Sequence, residues 1–209
     1  TNSATQNITV NVTNVNDNTP SITSNATFSA AENQTSIGTV TATDADGDTV
    51  SFSLSGTDAS SMSINSSSGV LTFNSAPDYE TKLSYSATVT ASDGANSSTQ
   101  DITVTITDID DVAPVFTSSA TFSAAENQTS IGTVTASDAD TDDSLIVFSV
   151  SGSELLITSG GILTFANAPD YETKTSYSAT VTASDGTNST TQDITVNITD
   201  ANDSAPVFT

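Results

Sequence analysis

The stretch ATFSAAENQTSIGTVTA runs from Ala26 to Ala42 and returns, residue for residue, at Ala120–Ala136, 94 positions later. Repetition on this scale governs the reading of everything around it. Downstream, APDYETK at Ala76–Lys82 recurs at Ala168–Lys174. SYSATVTASDG at Ser84–Gly94 recurs at Ser176–Gly186, and both of these offsets are 92. The difference arises between the blocks, where Asp44–Gly56 (13 residues) becomes Asp138–Gly152 (15) and Thr57–Phe73 (17) becomes Ser153–Phe165 (13). Fixed blocks separated by loops of varying length mark repeated domains. A third block, TQNITVNVTNVNDNTP at Thr5–Pro20, matches Thr99–Pro114 and Thr191–Pro206. The 209-residue chain is therefore expected to divide five ways. Residues 1–18 read as the last strand and linker of a preceding repeat, 19–107 as a first repeat and 108–112 as a linker. Residues 113–200 read as a second repeat, and 201–209 as a linker and the start of a following one.

Inside each repeat the apolar residues recur with period two. Tyr85, Ala87, Val89 and Ala91 alternate with Ser and Thr, as do Ile102, Val104 and Ile106, and Val50, Phe52 and Leu54. That is the pattern of half-buried antiparallel strands. The abundance of Thr, Val and Ile suits a pleated surface, and no segment has a convincing helical period. Seven strand candidates in about 90 residues, broken by Gly, Asp, Asn and Pro turns, predict an all-β fold. The expectation is two tandem seven-stranded Greek-key β-sandwiches of immunoglobulin-like type, joined end to end. The first core is expected at Phe28, Val40, Phe52, Leu71, Phe73, Tyr85, Val89, Ile102, Val104 and Ile106.

The charge balance removes whole classes of function. There are 25 acidic residues against two basic ones, Lys82 and Lys174, for a formal charge of −23, and there is no His, Arg, Cys or Trp. Without His or Cys there is no nucleophilic triad and no ordinary zinc, haem or iron–sulfur site. Two lysines cannot neutralise a phosphate backbone, so nucleic acid is excluded as a partner. An anionic membrane surface would repel the chain, and no apolar run reaches the ~20 residues of a span, so direct membrane insertion is not expected.

The carboxylates recur in short motifs instead of being scattered over solvent faces: Glu32, the DAD pair Asp44 and Asp46, the DYE pair Asp78 and Glu80, Asp93, then Asp108, Asp110 and Asp111. Close carboxylates without basic partners repel by about 1–4 kcal/mol per pair at ~4 Å. Repeated clusters of this kind call for counter-cations. Oxygen ligands alone, with loop carbonyls to complete the shell, point to Ca²⁺ ahead of the smaller and more strictly octahedral Mg²⁺. Asp78 and Glu80 could also be read as a glycosidase pair, but they lie two apart on one extended segment with no substrate cleft around them. Tyr79 and Tyr171, inside the motif, read as packing residues. Asn33, Asn96, Asn127 and Asn188 open glycosylation sequons that this composition produces anyway. Asp58 lies outside every motif, and its replacement by Ala is expected to loosen the joint far less than the same change at Asp111 or Glu32.

The ordered set AEN, DAD, DYE, ASDG and DIDDVAP, repeated at about 90-residue spacing, resembles the calcium motifs of tandem cadherin repeats. The composition, free of Cys and Arg and rich in Ser, Thr, Asn and Asp, is most similar to the cadherin repeats of large bacterial surface adhesins. The resemblance implies a ligand set at the joint between the repeats. From the first repeat it takes Glu32, Asp78 and Glu80. From the linker it takes Asp108, the Ile109 carbonyl, Asp110, Asp111 and the Val112 carbonyl. From the second repeat it takes Asp138, Asp140 and Asp185. This set would hold three Ca²⁺ ions. At the N-terminal side the resemblance implies one ion at Asn16, Asp17 and Asn18 with Asp44, Asp46 and Asp93. At the C-terminal side it implies a weaker cluster at Glu126, Asp170, Glu172, Asp200, Asn202 and Asp203. DIDDV departs from the family's DxNDN, so Val112 can serve only through its backbone.

The function these features imply is a calcium-stiffened structural segment of an extracellular, cell-surface adhesin, with neighbouring repeats of the same chain as its partners. The alternative is a calcium-dependent binding module for polysaccharide or for another adhesin chain. An enzyme is not expected.

Overall fold

The computed structural model describes residues 1–141 and 143–203. The opening of a following repeat, expected within 201–209, falls outside the described residues beyond position 203, as does Asp142. Two compact units are present, Thr1–Asp108 and a second from Ile109 onward.

The first unit contains β1 (Ser21–Ile22), β2 (Thr27–Ala31), β3 (Ser36–Thr39), β4 (Ala42–Thr43), β5 (Ser51–Ser55), β6 (Met62–Ile64), β7 (Val70–Phe73), β8 (Ser84–Ser92) and β9 (Ser97–Thr107). The second contains β10 (Val115–Phe116), β11 (Thr121–Ala125), β12 (Ser130–Thr133), β13 (Ala136–Ser137), β14 (Val147–Val150), β15 (Leu155–Ile157), β16 (Ile162–Phe165), β17 (Ser176–Ser184) and β18 (Ser189–Thr199). Short 3-10 turns at Ala59–Ser61 and Asp143–Leu145 are the helical content of the described residues.

In each unit a four-stranded sheet faces a three-stranded one. The orders are β2-β9-β8-β5 with β3-β7-β6, and β11-β18-β17-β14 with β12-β16-β15. The all-β sandwich is as the sequence predicts, with one difference in pairing. The first strand of each repeat is split: β1 pairs antiparallel with β4, whereas β2 runs parallel to β9, from Thr27↔Thr103 to Ala31↔Thr107. The chain changes sheets across 23–26, so its second half meets β9 travelling in the same direction. Counting β1 with β2 and β3 with β4 gives seven strands per sandwich.

Alternation along β8 and β9 turns Ala87, Val89 and Ala91 toward Ile102, Val104 and Ile106, all 5% exposed or less. Phe52, Leu71, Phe73 and Val40 close this core from the facing strands. Phe28 and Tyr85 pack on it only partly buried, and Met62, Ile37, Ala30, Ala87 and Ala91 extend it beyond the expected set. Tyr85 meets Phe73 edge-on at 4.9 Å, and Tyr177 meets Phe165 likewise at 5.1 Å. Tyr79 and Tyr171 also pack against their cores.

Residues 1–17 form no strand, although their pattern reads as one. Ile8, Val10 and Val12 stand in the same motif as Ile102, Val104 and Ile106, yet they are 80%, 79% and 92% exposed against 1%, 0% and 2%. Alternation creates a strand only where a facing sheet takes its apolar side. In the first unit the slot beside β2 is already filled by β9.

Candidate metal centre

Glu32 follows directly on β2 and is 2% exposed; its counterpart Glu126 is 4% exposed. The next residue turns the chain sharply: Asn33 and Asn127 adopt left-handed φ values of 61° and 62°. Their N–H groups donate to the carbonyls of Pro77 and Pro169. This contact lays the DYE turn against the glutamate. The Tyr79 N–H donates to Glu32 Oε2 at 2.8 Å, and the Tyr171 N–H to Glu126 Oε2 at 2.8 Å. Asp78 closes its own turn by accepting from the Thr81 N–H and hydroxyl, both at 3.0 Å. One oxygen each from Glu32, Asp78 and Glu80 then lie within 4.8 Å of one another.

In the second unit the corresponding trio is Glu126, Glu172 and Asp203. Glu126 also accepts the Ala201 N–H at 2.7 Å, and Asp203 accepts from Asn127. Asp170, bonded to the Thr173 hydroxyl at 2.9 Å, is not part of that trio, and Asp200 follows β18 at the surface. Crowding shows in Glu172. Its own backbone N–H pulls the carboxyl down, but desolvation and the charges of Glu126, Asp203 and Asp200 outweigh that bond and hold it above its ordinary value.

A second type of cluster forms where β8 turns into β9, at the far end of β9 from Glu32, about 33 Å away along the strand from Ser97 to Thr107 at ~3.3 Å per step. Here each aspartate is held by one oxygen. Asp93 Oδ1 accepts the N–H groups of Ala95 and Asn96, and Asp44 Oδ1 accepts those of Asp46 and Asp48. Asp185 Oδ1 likewise accepts Thr187 and Asn188, and Asp138 Oδ1 accepts Asp140 and Thr141. In all four the other oxygen, Oδ2, is buried with no hydrogen-bond partner among the described residues.

The linkers dock on these turns. The N–H groups of Asp17 and Asn18 donate to Asp46 Oδ2 at 3.0 and 2.8 Å, and Asn96 Nδ2 reaches Asn16 Oδ1 and the Asn18 carbonyl, each at 3.2 Å. In the second unit the Asp111 and Val112 N–H groups donate to Asp140 Oδ2 at 2.8 and 2.6 Å. Asp110 accepts from the Thr187 hydroxyl and from Asn188 Nδ2. Val112 takes part through its backbone, as its side chain requires. Asp108 follows β9 in the first unit, and Ile109, 42% exposed, opens the second. Asn18, backbone N–H first and side chain next, holds the Asp46 carboxyl below the usual carboxylate range. The Asn96 N–H does the same for Asp93.

Three features escape the motif reading. Asp48 joins Asp44 and Asp46 in a group with oxygens within 4.8 Å, and its signal is the D-x-D-x-D spacing of Asp44–Asp48. Asn96 and Asn188 anchor the linkers; their signal is recurrence two residues after the D-G of ASDG, where the sequence suggests only a sequon. Asp58, outside every motif, has a structural role that no motif signals. It pairs with Lys82 at 2.5 Å and accepts the Ser86 N–H at 2.8 Å, and these two partners, Lys82 foremost, hold its carboxyl low.

Lys174 pairs in the same way with Glu154, at 2.6 Å. Both lysines of the chain thus have carboxylate partners outside the clusters. Asp44, Asp93, Asp138 and Asp185, each with one oxygen shielded from water and without a hydrogen-bond partner, fit a hard cation that accepts oxygen ligands in flexible geometry.

Comparison with known proteins places the chain. Residues 24–107 match the cadherin-domain family model, and residues 110–199 match the model of a bacterial Ig domain. The second repeat reproduces the first block by block and in strand register, so the chain is a tandem of cadherin domains. It is 34% identical to human protocadherin Fat 4 over 221 residues, covering 96% of this chain and 4% of that protein. It is also 34% identical to the Drosophila melanogaster protocadherin-like wing polarity protein stan, covering 99% of this chain and 6% of that one. Among solved structures it is similar to mouse cadherin-23 EC22-24, with a TM-score of 0.75, 25% identity, and coverage of 90% of this chain and 68% of that one. These relatives are animal cadherins and not bacterial adhesins. The family is one of adhesion proteins and not of enzymes, and this chain spans only a small fraction of its curated relatives.

Proposed function

We propose that the chain is a calcium-binding structural segment of an extracellular adhesion protein. The observation that carries this reading is the set of buried, partnerless Oδ2 atoms on Asp44, Asp93, Asp138 and Asp185. An ionised carboxylate fixed by two backbone N–H groups on one oxygen and shielded on the other needs a cation there. Asp44, Asp46 and Asp93 with the Asn16–Asn18 linker would hold Ca²⁺ in the first unit. Asp110, Asp111, the Val112 carbonyl, Asp138, Asp140 and Asp185 would do so in the second. Glu32, Asp78 and Glu80, with Asp108 and the Ile109 carbonyl, would supply the rest of the joint's shell in the family's scheme. Glu126, Asp170, Glu172, Asp200 and Asp203 would form the corresponding set of the second repeat. Bound there, Ca²⁺ would cancel carboxylate repulsion and fix each linker on the turns where it docks. Partners are then the neighbouring repeats of the same chain, at the cell surface.

The parent protein is further read as a bacterial surface adhesin. Support comes from the composition and from the bacterial Ig match of the second repeat; the animal relatives speak to the repeat type. The alternative, a module that itself binds polysaccharide or another adhesin chain, finds no specific support, because aromatic side chains such as Tyr79 and Tyr171 are committed to packing. Glycan-array and self-association measurements with Ca²⁺ present test it. A structural segment binds neither, and saturable binding of either kind would favour the module.

A further inference from the structure

The only two lysines in the chain sit at equivalent places, four residues after the first aspartate of each DYE motif. The Lys82 N–H donates to the Asp78 carbonyl at 2.9 Å, and the Lys174 N–H to the Asp170 carbonyl at 2.9 Å. Each lysine backbone therefore lies against the acidic turn, and its flexible four-carbon stem could swing an ammonium onto the carboxylates there. The structure directs both side chains elsewhere. Lys82 Nζ pairs with Asp58 and lies 4.4 Å from the centre of the Tyr85 ring. Lys174 Nζ bonds both oxygens of Glu154, at 2.6 and 2.7 Å, and lies 4.2 Å from the centre of the Tyr177 ring.

This clasp is built twice from different parts. The acid is Asp58 in one repeat and Glu154 in the other, and it lies in a segment of 17 residues in the first and 13 in the second. The Asp58 N–H also donates to the Ser86 carbonyl and its Oδ2 accepts the Ser86 N–H, whereas Glu154 is an exposed side chain. What the two versions share is an ammonium drawn onto a carboxylate outside the motif and over an aromatic face. An ammonium among the motif carboxylates would be a built-in competitor for a divalent cation.

We infer that Asp58 and Glu154, with the Tyr85 and Tyr177 rings, hold the lysines away from the DYE carboxylates and so keep those carboxylates open to metal. The inference rests on the calcium reading above and assigns Asp58 and Glu154 as positioning residues for it.

Calcium titration of the 209-residue chain, alone and as Asp58→Asn, Lys82→Met and the double variant, tests it, with thermal midpoints in chelator measured alongside. Asp58→Asn keeps the shape and an acceptor for Ser86 while releasing Lys82. It should weaken calcium binding about three- to tenfold, the scale of one nearby charge. Lys82→Met should bind as tightly as wild type or more tightly, and the double variant should match Lys82→Met. A clasp that only braces the fold predicts otherwise: Lys82→Met would weaken binding as much as Asp58→Asn, with no rescue in the double variant. That result, or unchanged affinity in Asp58→Asn beside a binding wild type, overturns the inference alone. A wild type with no saturable calcium binding overturns the calcium reading and the inference together.

Discussion

Glu172 and Asp93 show at single residues how neighbouring charge and N–H donors move a carboxyl in opposite directions. Asp93 has its carboxyl lowered, so its stabilising contribution is present above the unfolded value of about 3.9 and is lost as pH falls through the lower folded value. Asp46 behaves alike. In chelator, the thermal midpoint should therefore fall as pH drops below about 4, and less steeply in Asp93→Asn than in wild type. Glu172 has the opposite sign. Its raised carboxyl favours the fold only below its unfolded pKa, and the advantage is lost as pH rises through the folded value. Glu172→Gln is thus expected to raise the calcium-free midpoint near neutral pH and to shrink the gain that calcium brings. The proposed ligands should behave differently from surface acids. Asp185→Asn should lose roughly tenfold or more in calcium affinity. Asp101→Asn, on the outer face of β9 with the Thr88 hydroxyl as partner, should stay within about twofold of wild type.

At the scale of elements, most of the sandwich was legible because period-two alternation is a direct imprint of a sheet with one buried face. β8, β9, β17 and β18 follow it over nine to eleven residues. The same imprint misleads at Ile8, Val10 and Val12, since alternation specifies a strand only where a partner sheet is present. The crossing between sheets after β1 was not legible, because two-residue strands carry too little pattern. Recurrence in the sequence marked carboxylates that the fold does bring together, as in Glu32 with Asp78 and Glu80. The Asn96 and Asn188 anchors and the Asp58 and Glu154 clasps were not, because polar side chains in loops acquire their roles from distant partners. One glycine pair is fixed by geometry. Gly69 and Gly161 have φ of +71° and +87°, and a Cβ there would lie 2.1 and 2.2 Å from the carbonyl oxygens of Val40 and Val134. Gly161→Ala is expected to destabilise the second unit by more than about 1 kcal/mol, visible as a lowered midpoint in chemical or thermal unfolding.

For the whole molecule, a formal charge of −23 opposes compaction and two apolar cores sustain it. Among the described residues those cores are built from apolar side chains, with the proposed ligands Glu32 and Glu126 outside them, so the sheets should outlast calcium removal. Chelation is expected to lower the thermal midpoint and to open the 108–114 segment to proteases while the β-sheet circular dichroism persists. Each site at a hundredfold excess of calcium over its Kd would add about 2.7 kcal/mol. The central claim, that the carboxylates are a calcium shell and not a solvated acidic surface, is tested most directly by calorimetric titration of the metal-stripped chain with Ca²⁺ at physiological ionic strength. Saturable binding of more than one ion per chain, tighter than Mg²⁺ and weakened by Asp185→Asn but not by Asp101→Asn, is the predicted result. Weak, unsaturable heats that are the same for Ca²⁺ and Mg²⁺ and indifferent to both substitutions would contradict it.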